Sequence, residues 1–301
     1  MRAEGAGSRD RPGRAGVVFG YLTESANLRG RRFLPLLAVA VIGSTSILSA
    51  DPDSPVRIEP AVEVVPANHL KFYLHFPESM ERGHVFRYLR LVEIDEAGKE
   101  LAEVPEPFRE VELWDETFTR MTLWFHPGRQ KPGVNLNVEI GPILEEGRRY
   151  RLEISDEWKT ESGDHFEGSS THEFVAGPLD DKQPDPANWN IFEITRMHIV
   201  AVKPNEVLDP ESAKKRIHAF VDGEPRKVSF VNGLIHIDVN RTGWKSGRLI
   251  IDPRLEDLAG NSVVRPFNLD LEADSKSIEI TDPIEIEFTR PIPLVSPFAL
   301  P

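Results

Sequence analysis

Two stretches 97 positions apart carry the same pattern: Leu152, Ile154, Trp158, Gly163 and Asp164 in the first, and Leu249, Ile251, Leu255, Gly260 and Asn261 in the second. Each reads as a strand, a polar turn ending in Gly plus Asp or Asn, and a further strand closed by Phe174 or Phe267. A period that long is one whole small domain, not a solenoid repeat. The chain is therefore expected to fold as two copies of one strand-rich module. At 301 residues, 40% of them hydrophobic, it is long enough to give each copy its own core.

Period-two alternation marks the strands. Between His69 and Phe76, Leu70, Phe72, Leu74 and Phe76 point one way while His69, Lys71, Tyr73 and His75 point the other, the pattern of a half-buried antiparallel strand. The same reading picks out Met121 to Phe125, Tyr150 to Ile154, Ile235 to Val239, Phe267 to Leu271 and Ile284 to Phe288. Asn232-Gly233 tolerates positive φ and predicts a tight type I′ hairpin, and Gly98 predicts a second hairpin over Asp95 to Lys99. Helical periodicity is scarce after residue 50; only Asp209 to Lys215, with Pro210 suited to a first turn, predicts a short helix. The 25 prolines fit a strand-and-loop chain, because proline collects at turns and sheet edges.

Composition narrows the functional classes. There is no cysteine, which excludes disulfides, thiolate zinc sites and cysteine nucleophiles. Net charge is -13, yet the first fifty residues hold seven arginines against Glu4, Asp10 and Glu24, so the body carries -17. A body that acidic repels nucleic acid and anionic membrane. Arg29, Arg31 and Arg32 precede an uncharged run from Phe33 to Ala50, which then meets Asp51-Pro52-Asp53. That is the order of a secretory signal with cleavage after Ala50, predicting an exported protein, periplasmic, cell-surface or secreted. The alternative is an uncleaved anchor, for which the run is slightly shorter than the ~20 apolar residues a span requires; only then does the chain touch membrane.

Gly177 to Asn190 has three prolines and three aspartates without alternation and reads as a stiff polar linker. The expected organisation is a disordered extension plus signal over 1–50, a first sandwich over 57–176, the linker over 177–190, a second sandwich over 191–272, and a tail over 273–301 with an edge strand and a Pro-rich end. Leu70 to Met80, Thr122 to Pro127, Leu144-x-x-Gly147-x-x-Tyr150, the Gly163-Asp164 turn, Val207 to Asp209, Trp244-x-x-Gly247 and Leu255 to Asn261 together resemble bacterial Ig-like domains of the S-layer-protein type. The resemblance implies an all-β fold, two tandem Ig-like β-sandwich domains behind an N-terminal signal segment. It also implies a non-enzymatic structural, adhesion or cell-envelope scaffold role, with an envelope protein or extracellular glycan as partner. Departures exist, since the φ-x-x-Gly element recurs at 100 positions, not 97, and the first copy has Thr160-Glu-Ser-Gly-Asp164 where the second has Asp257-Leu-Ala-Gly-Asn261.

Candidate sites are few. No His-Glu-x-x-His, Gly-x-Ser-x-Gly, P-loop or dinucleotide fingerprint occurs, so no catalytic residue and no cofactor is expected. A dispersed Ser-His-Asp triad, recognised by geometry and not by spacing, would make the chain an extracytoplasmic hydrolase. Glu256, Asp257 and Asn261 offer oxygen ligands to calcium, against the plainer reading that they cap a turn. Asp180, Asp181 and Asp185 form a second acidic group in the linker. Tyr73 and Trp124 fall on the non-core phase of their strands; they form a platform for a sugar ring or peptide, or lie under loops or the second domain.

Overall fold

A computed structural model describes residues 54–130, 133, 135–165, 168–194, 197–239, 243–268 and 282–290. The leader, the Pro-rich end and most of the segment from Phe267 to Leu271 lie outside the described residues. The first module contains β1 (Arg57–Glu59), β2 (Val64–Pro66), β3 (Lys71–His75), β4 (Leu89–Ile94), β5 (Glu100–Glu103), β6 (Leu113–Trp114), β7 (Arg120–Trp124), β8 (Arg149–Ile154) and β9 (Ser170–Gly177). Two short helices, α1 (Pro127–Gln130) and α2 (Asn135–Ile140), interrupt it between β7 and β8. The second module contains β10 (Asn190–Ile194), β11 (Ile199–Lys203), α3 (Pro210–Arg216), β12 (Ile217–Val221), β13 (Glu224–Arg226), β14 (Val228–Val231), β15 (Leu234–Asp238), β16 (Ser246–Ile251) and β17 (Ile284–Thr289).

Both modules are two-sheet sandwiches with one topology. The first pairs its strands as β1-β3-β7-β6 and β2-β9-β8-β4-β5; the second as β10-β11-β15-β14 and β13-β12-β16-β17. In immunoglobulin lettering these are A-B-E-D sheets facing sheets built on C, F and G, the Greek-key arrangement of Ig domains. The chain is all-β, two tandem Ig-like sandwiches, as expected. The first module adds a strand the second lacks among the described residues: β2 runs parallel to β9, Val64 opposite Val175.

The 97-residue repeat is visible in the hydrogen bonds. β8 and β16 begin and end 97 positions apart. In the first module Thr160 N donates to Asp164 O (2.8 Å) and Gly163 N to Thr160 O (2.9 Å); in the second Asp257 N donates to Asn261 O (3.0 Å) and Gly260 N to Asp257 O (3.3 Å). Side chains repeat too, since the Asp164 amide donates to Thr160 Oγ1 and the Asn261 amide to Asp257 Oδ1. Threonine and aspartate do one job, accepting the amide that closes the turn.

The repeat breaks at one strand. Arg149 and Ser246 are 97 apart, but their cross-strand partners Val175 and Thr289 are 114 apart, so the second module carries 17 extra residues before its last strand. Of the strand expected over Phe267 to Leu271, residues 269–271 lie outside the described residues; at its start Ser262 and Arg265 close a tight turn, and Phe267 N donates back to Asn261 Oδ1 (2.9 Å). Ile284, Ile286 and Phe288 supply the missing apolar face, with Phe288 buried against Trp244. The tail strand is thus integral to the second sandwich, which extends to residue 289 and past the expected boundary at 272.

Two positions mark where the modules differ. Tyr150, the second residue of β8, packs on Phe174 and accepts the Glu145 amide at its hydroxyl (2.9 Å), the tyrosine corner of Ig sandwiches. Its counterpart 97 residues on is Gly247, opposite Phe288. A Cβ built there would lie 2.3 Å from the Phe288 ring and 3.0 Å from Phe220 O. The Phe288 ring occupies the space that a side chain at position 247 would need.

The hairpin turns form as the residues dictate, with positive φ at Asn232, Gly233 and Gly98. A third turn of the same kind, Asp222-Gly223, joins β12 to β13 and escaped the sequence reading. The helix at Pro210–Arg216 forms, capped by Asp209, whose side chain accepts Ser212 N (2.7 Å). α1 and α2 were not expected, being too short to show a helical period.

Candidate functional site

The features with functional content gather where the two sandwiches meet. The Asp257–Asn261 turn of the second module enters the end of the first. Leu258 is part of the first module's core, and its carbonyl accepts the Leu70 amide (3.1 Å). Burying one leucine side chain is worth about 1.5–3 kcal/mol, so this turn is a structural key. Gly260, with φ +81°, lets the key sit: a Cβ there would come within 2.3 Å of Leu70 Cδ1.

A polar layer surrounds it. Tyr73 is buried, and its hydroxyl donates to both oxygens of Asp209 (2.9 and 3.0 Å). Lys71 Nζ bonds Glu256 (2.8 Å) and lies 3.5 Å from Asp209. Burial alone would lower the Lys71 ammonium, but Asp209 and Glu256 outweigh it and hold it above the usual lysine range. Arg120 pairs with Glu211, and Lys214 bridges Glu211 (2.8 Å) to Glu59 (2.9 Å), which also meets His75 Nε2 (3.1 Å). The linker is fastened as well: Asn68 Nδ2 donates to Asp180 O (2.8 Å), Asp180 N to Asn68 Oδ1 (2.9 Å), and Gln183 Nε2 to Ser262 O and Val263 O (both 3.0 Å).

The outer face of β3, for which the sequence left open a solvent-facing platform or cover by loops or the second domain, meets the second domain. Tyr73 is not part of an exposed platform: it is buried, with its hydroxyl on Asp209, the cap of α3. Trp124 stays half-buried, with the Arg109 guanidinium 6.0 Å from its ring centre. His69 is fully buried edge-on to Phe72 and Phe125; burial holds its ring neutral, down to about 3, and that of His172 down to about 4. No hydrogen bond joins a histidine to a serine among the described residues; His75 meets Glu59, and His165 meets the Asp156 carbonyl (3.1 Å).

The three calcium candidates separate. Glu256 is committed to Lys71, and Asn261 Oδ1 to the Phe267 amide. Asp257 instead joins two carboxylates that sequence spacing does not connect, Asp180 of the linker and Glu206 of the β11–α3 loop, with one oxygen of each lying within 4.8 Å of the others. Three carboxylates supply about half the six to eight oxygens calcium takes. They also press on each other's protons. Burial, then the charges of Asp257 and Asp180, push Glu206 up to about 8. Burial and Asp180 push Asp257 up to about 7 against the opposing Asn261 hydrogen bonds.

A pH dependence follows. Carboxyls whose folded values lie above their unfolded values of about 4 make the fold bind more protons than the unfolded chain, so stability falls as pH rises toward 8. The histidines work oppositely: held neutral when folded, they cost stability as pH falls below about 6.5. Urea unfolding should show stability falling between pH 6.5 and 8, where the histidines no longer titrate and the raised carboxyls still do, and Glu206→Gln should reduce that fall. An unchanged alkaline slope in that variant would contradict the carboxyl assignment.

No protein family and no curated protein matches the sequence. Among solved structures, the chain is similar to the native conformation of Escherichia coli alpha-2-macroglobulin at 12% identity and a TM-score of 0.22, over 51% of this chain and 8% of that one. It is also similar to a chimeric titin Z1Z2-Z1Z2 tandem carrying an exogenous GRGDS peptide from fibronectin, at 8% identity and a TM-score of 0.17, over 62% of this chain and 85% of that one. Neither likeness bears on function; the Ig-like assignment rests on strand order.

Proposed function

We propose that this chain is a non-catalytic, exported structural module, a stiff pair of Ig-like sandwiches serving as a spacer or scaffold in the cell envelope or in adhesion. The observation that carries the reading is the junction. Leu258 of one sandwich completes the core of the other, and ion pairs and a tethered linker surround it. Flexible linkers leave domains free to reorient; this linker is bonded on both sides. The charge of -17 on the body and the Arg-then-apolar leader support export away from nucleic acid and anionic surfaces.

The absence of cysteine makes the test clean, because two introduced cysteines are the sole labelling sites. Spin labels at Glu96→Cys and Glu224→Cys, both exposed and one on each module, should report one narrow interdomain distance. A broad or multimodal distribution would remove the spacer reading.

A further inference from the structure

We propose that the groove beside the junction binds an extended peptide segment in which an aliphatic residue is followed by arginine. This stands apart from the spacer reading, which needs no ligand. The groove has a volume of about 250 Å³ and is walled by Val64, Val65 and Pro66 of β2, Leu179 of the linker, and Val207 and Leu258 of the second module. Val64 and Leu179 are 44% and 57% exposed, so two large aliphatic chains face one another across open space. The volume falls below the roughly 300–1,000 Å³ of small-molecule pockets and suits a single peptide side chain.

Asp180 lines the groove and belongs to the carboxylate trio, so the apolar walls end at Asp180, Glu206 and Asp257. Among the described residues, none of these three forms an ion pair. The groups that donate to them are neutral N–H groups: the Lys182 backbone amide on Asp180 Oδ1 (3.1 Å), the Ala259 and Asn261 backbone amides on Asp257 Oδ1 (2.8 and 2.9 Å), Asn261 Nδ2 on Asp257 Oδ2 (2.9 Å) and Asn205 Nδ2 on Glu206 Oε1 (3.5 Å). A guanidinium suits the position because its planar fork spans two carboxylates and its stem is compatible with apolar walls. Burial and neighbouring carboxylate charge raise Glu206 to about 8 and Asp257 to about 7, so a guanidinium that pairs with their ionised forms should bind more tightly as pH rises from about 6.5 to about 8.5.

The test titrates the full chain with acetyl-Ala-Leu-Arg-Ala-amide and follows its methyl NMR signals, with acetyl-Ala-Leu-Glu-Ala-amide and calcium chloride as separate arms. Expected are saturable shifts of the Val64, Leu179 and Val207 methyls with the arginine peptide. They should be weakened about tenfold in Asp180→Asn and in the surface variant Leu179→Ser, neither of which disturbs a core residue. No shift at about 1 mM peptide, a Kd at the weak limit for a few contacts, overturns the proposal. Equal shifts with the glutamate peptide overturn it as well. Shifts with calcium alone would make the trio a cation site and also overturn it.

Discussion

Gly260→Ala is expected to destabilise the protein by about 2–5 kcal/mol. Holding a residue with a Cβ at positive φ costs roughly 1–2 kcal/mol, and forcing a methyl into packed space costs typically 1–3 kcal/mol more. Here the space belongs to Leu70 on the other module, with Cδ1 2.3 Å from the new atom. The two effects separate in a double-mutant cycle. Leu70→Ala removes the obstructing atoms, so the double variant should lose at least about 1 kcal/mol less than the sum of the singles, as contacting residues do. Urea unfolding measures all three, and strict additivity would mean that the turn does not press on Leu70. Interdomain distances in Gly260→Ala should broaden, since the key no longer seats.

Trp158→Ala carries the other large expected effect, about 3–5 kcal/mol for removing a buried tryptophan. The ring is fully buried, packed 5.0 Å from Phe76, 5.5 Å from Tyr88 and 5.9 Å from Trp114, and its Nε1 donates to Glu81 O (3.0 Å). Removing it opens a cavity and leaves that carbonyl without its partner. Leu255 holds the equivalent place in the second module and is also fully buried. Trp158→Leu, which keeps an apolar plug there, should therefore cost clearly less than alanine. A loss below about 1 kcal/mol for the alanine variant, against the usual cost of such cavities, would show that the end of the first sandwich is closed by something else.

Several strands were legible in the sequence because each sandwich buries one face of each sheet, and burial writes itself as period two. Leu70, Phe72, Leu74 and Phe76 are all buried, as alternation demanded. Tyr73 was legible only as one of two alternatives, because alternation says which side a residue faces and nothing about what later covers that side. The carboxylate trio was less legible still. Asp180 and Asp257 each stood out locally, but Glu206 lies in neither acidic run, and only tertiary packing brings the three together. Signals did exist: Asp209 caps a helix whose start Pro210 announces, and the -Asp-Leu-Ala-Gly-Asn- turn places an apolar leucine in an otherwise polar corner. A leucine at a turn tip points to something to insert into. The closing strand of the second module was legible as alternation in Ile284, Ile286 and Phe288, but its partner was not, because the second module has 17 more residues before its last strand than the first and the repeat spacing does not locate it.

The late arrival of β17 sets an order of events during synthesis. The first sandwich holds all nine of its strands once the chain has passed Gly177, whereas the second waits for Thr289 to close its sheet. Domains fold as units from the N-terminal side as the chain emerges, so the first sandwich assembles with the place of Leu258 still unfilled. The second sandwich then finds a folded neighbour to dock against, and its unfinished sheet is held beside that surface while the final strand is made. The older half of the molecule acts as a template for the younger, and completion of the younger half seals the older one's core.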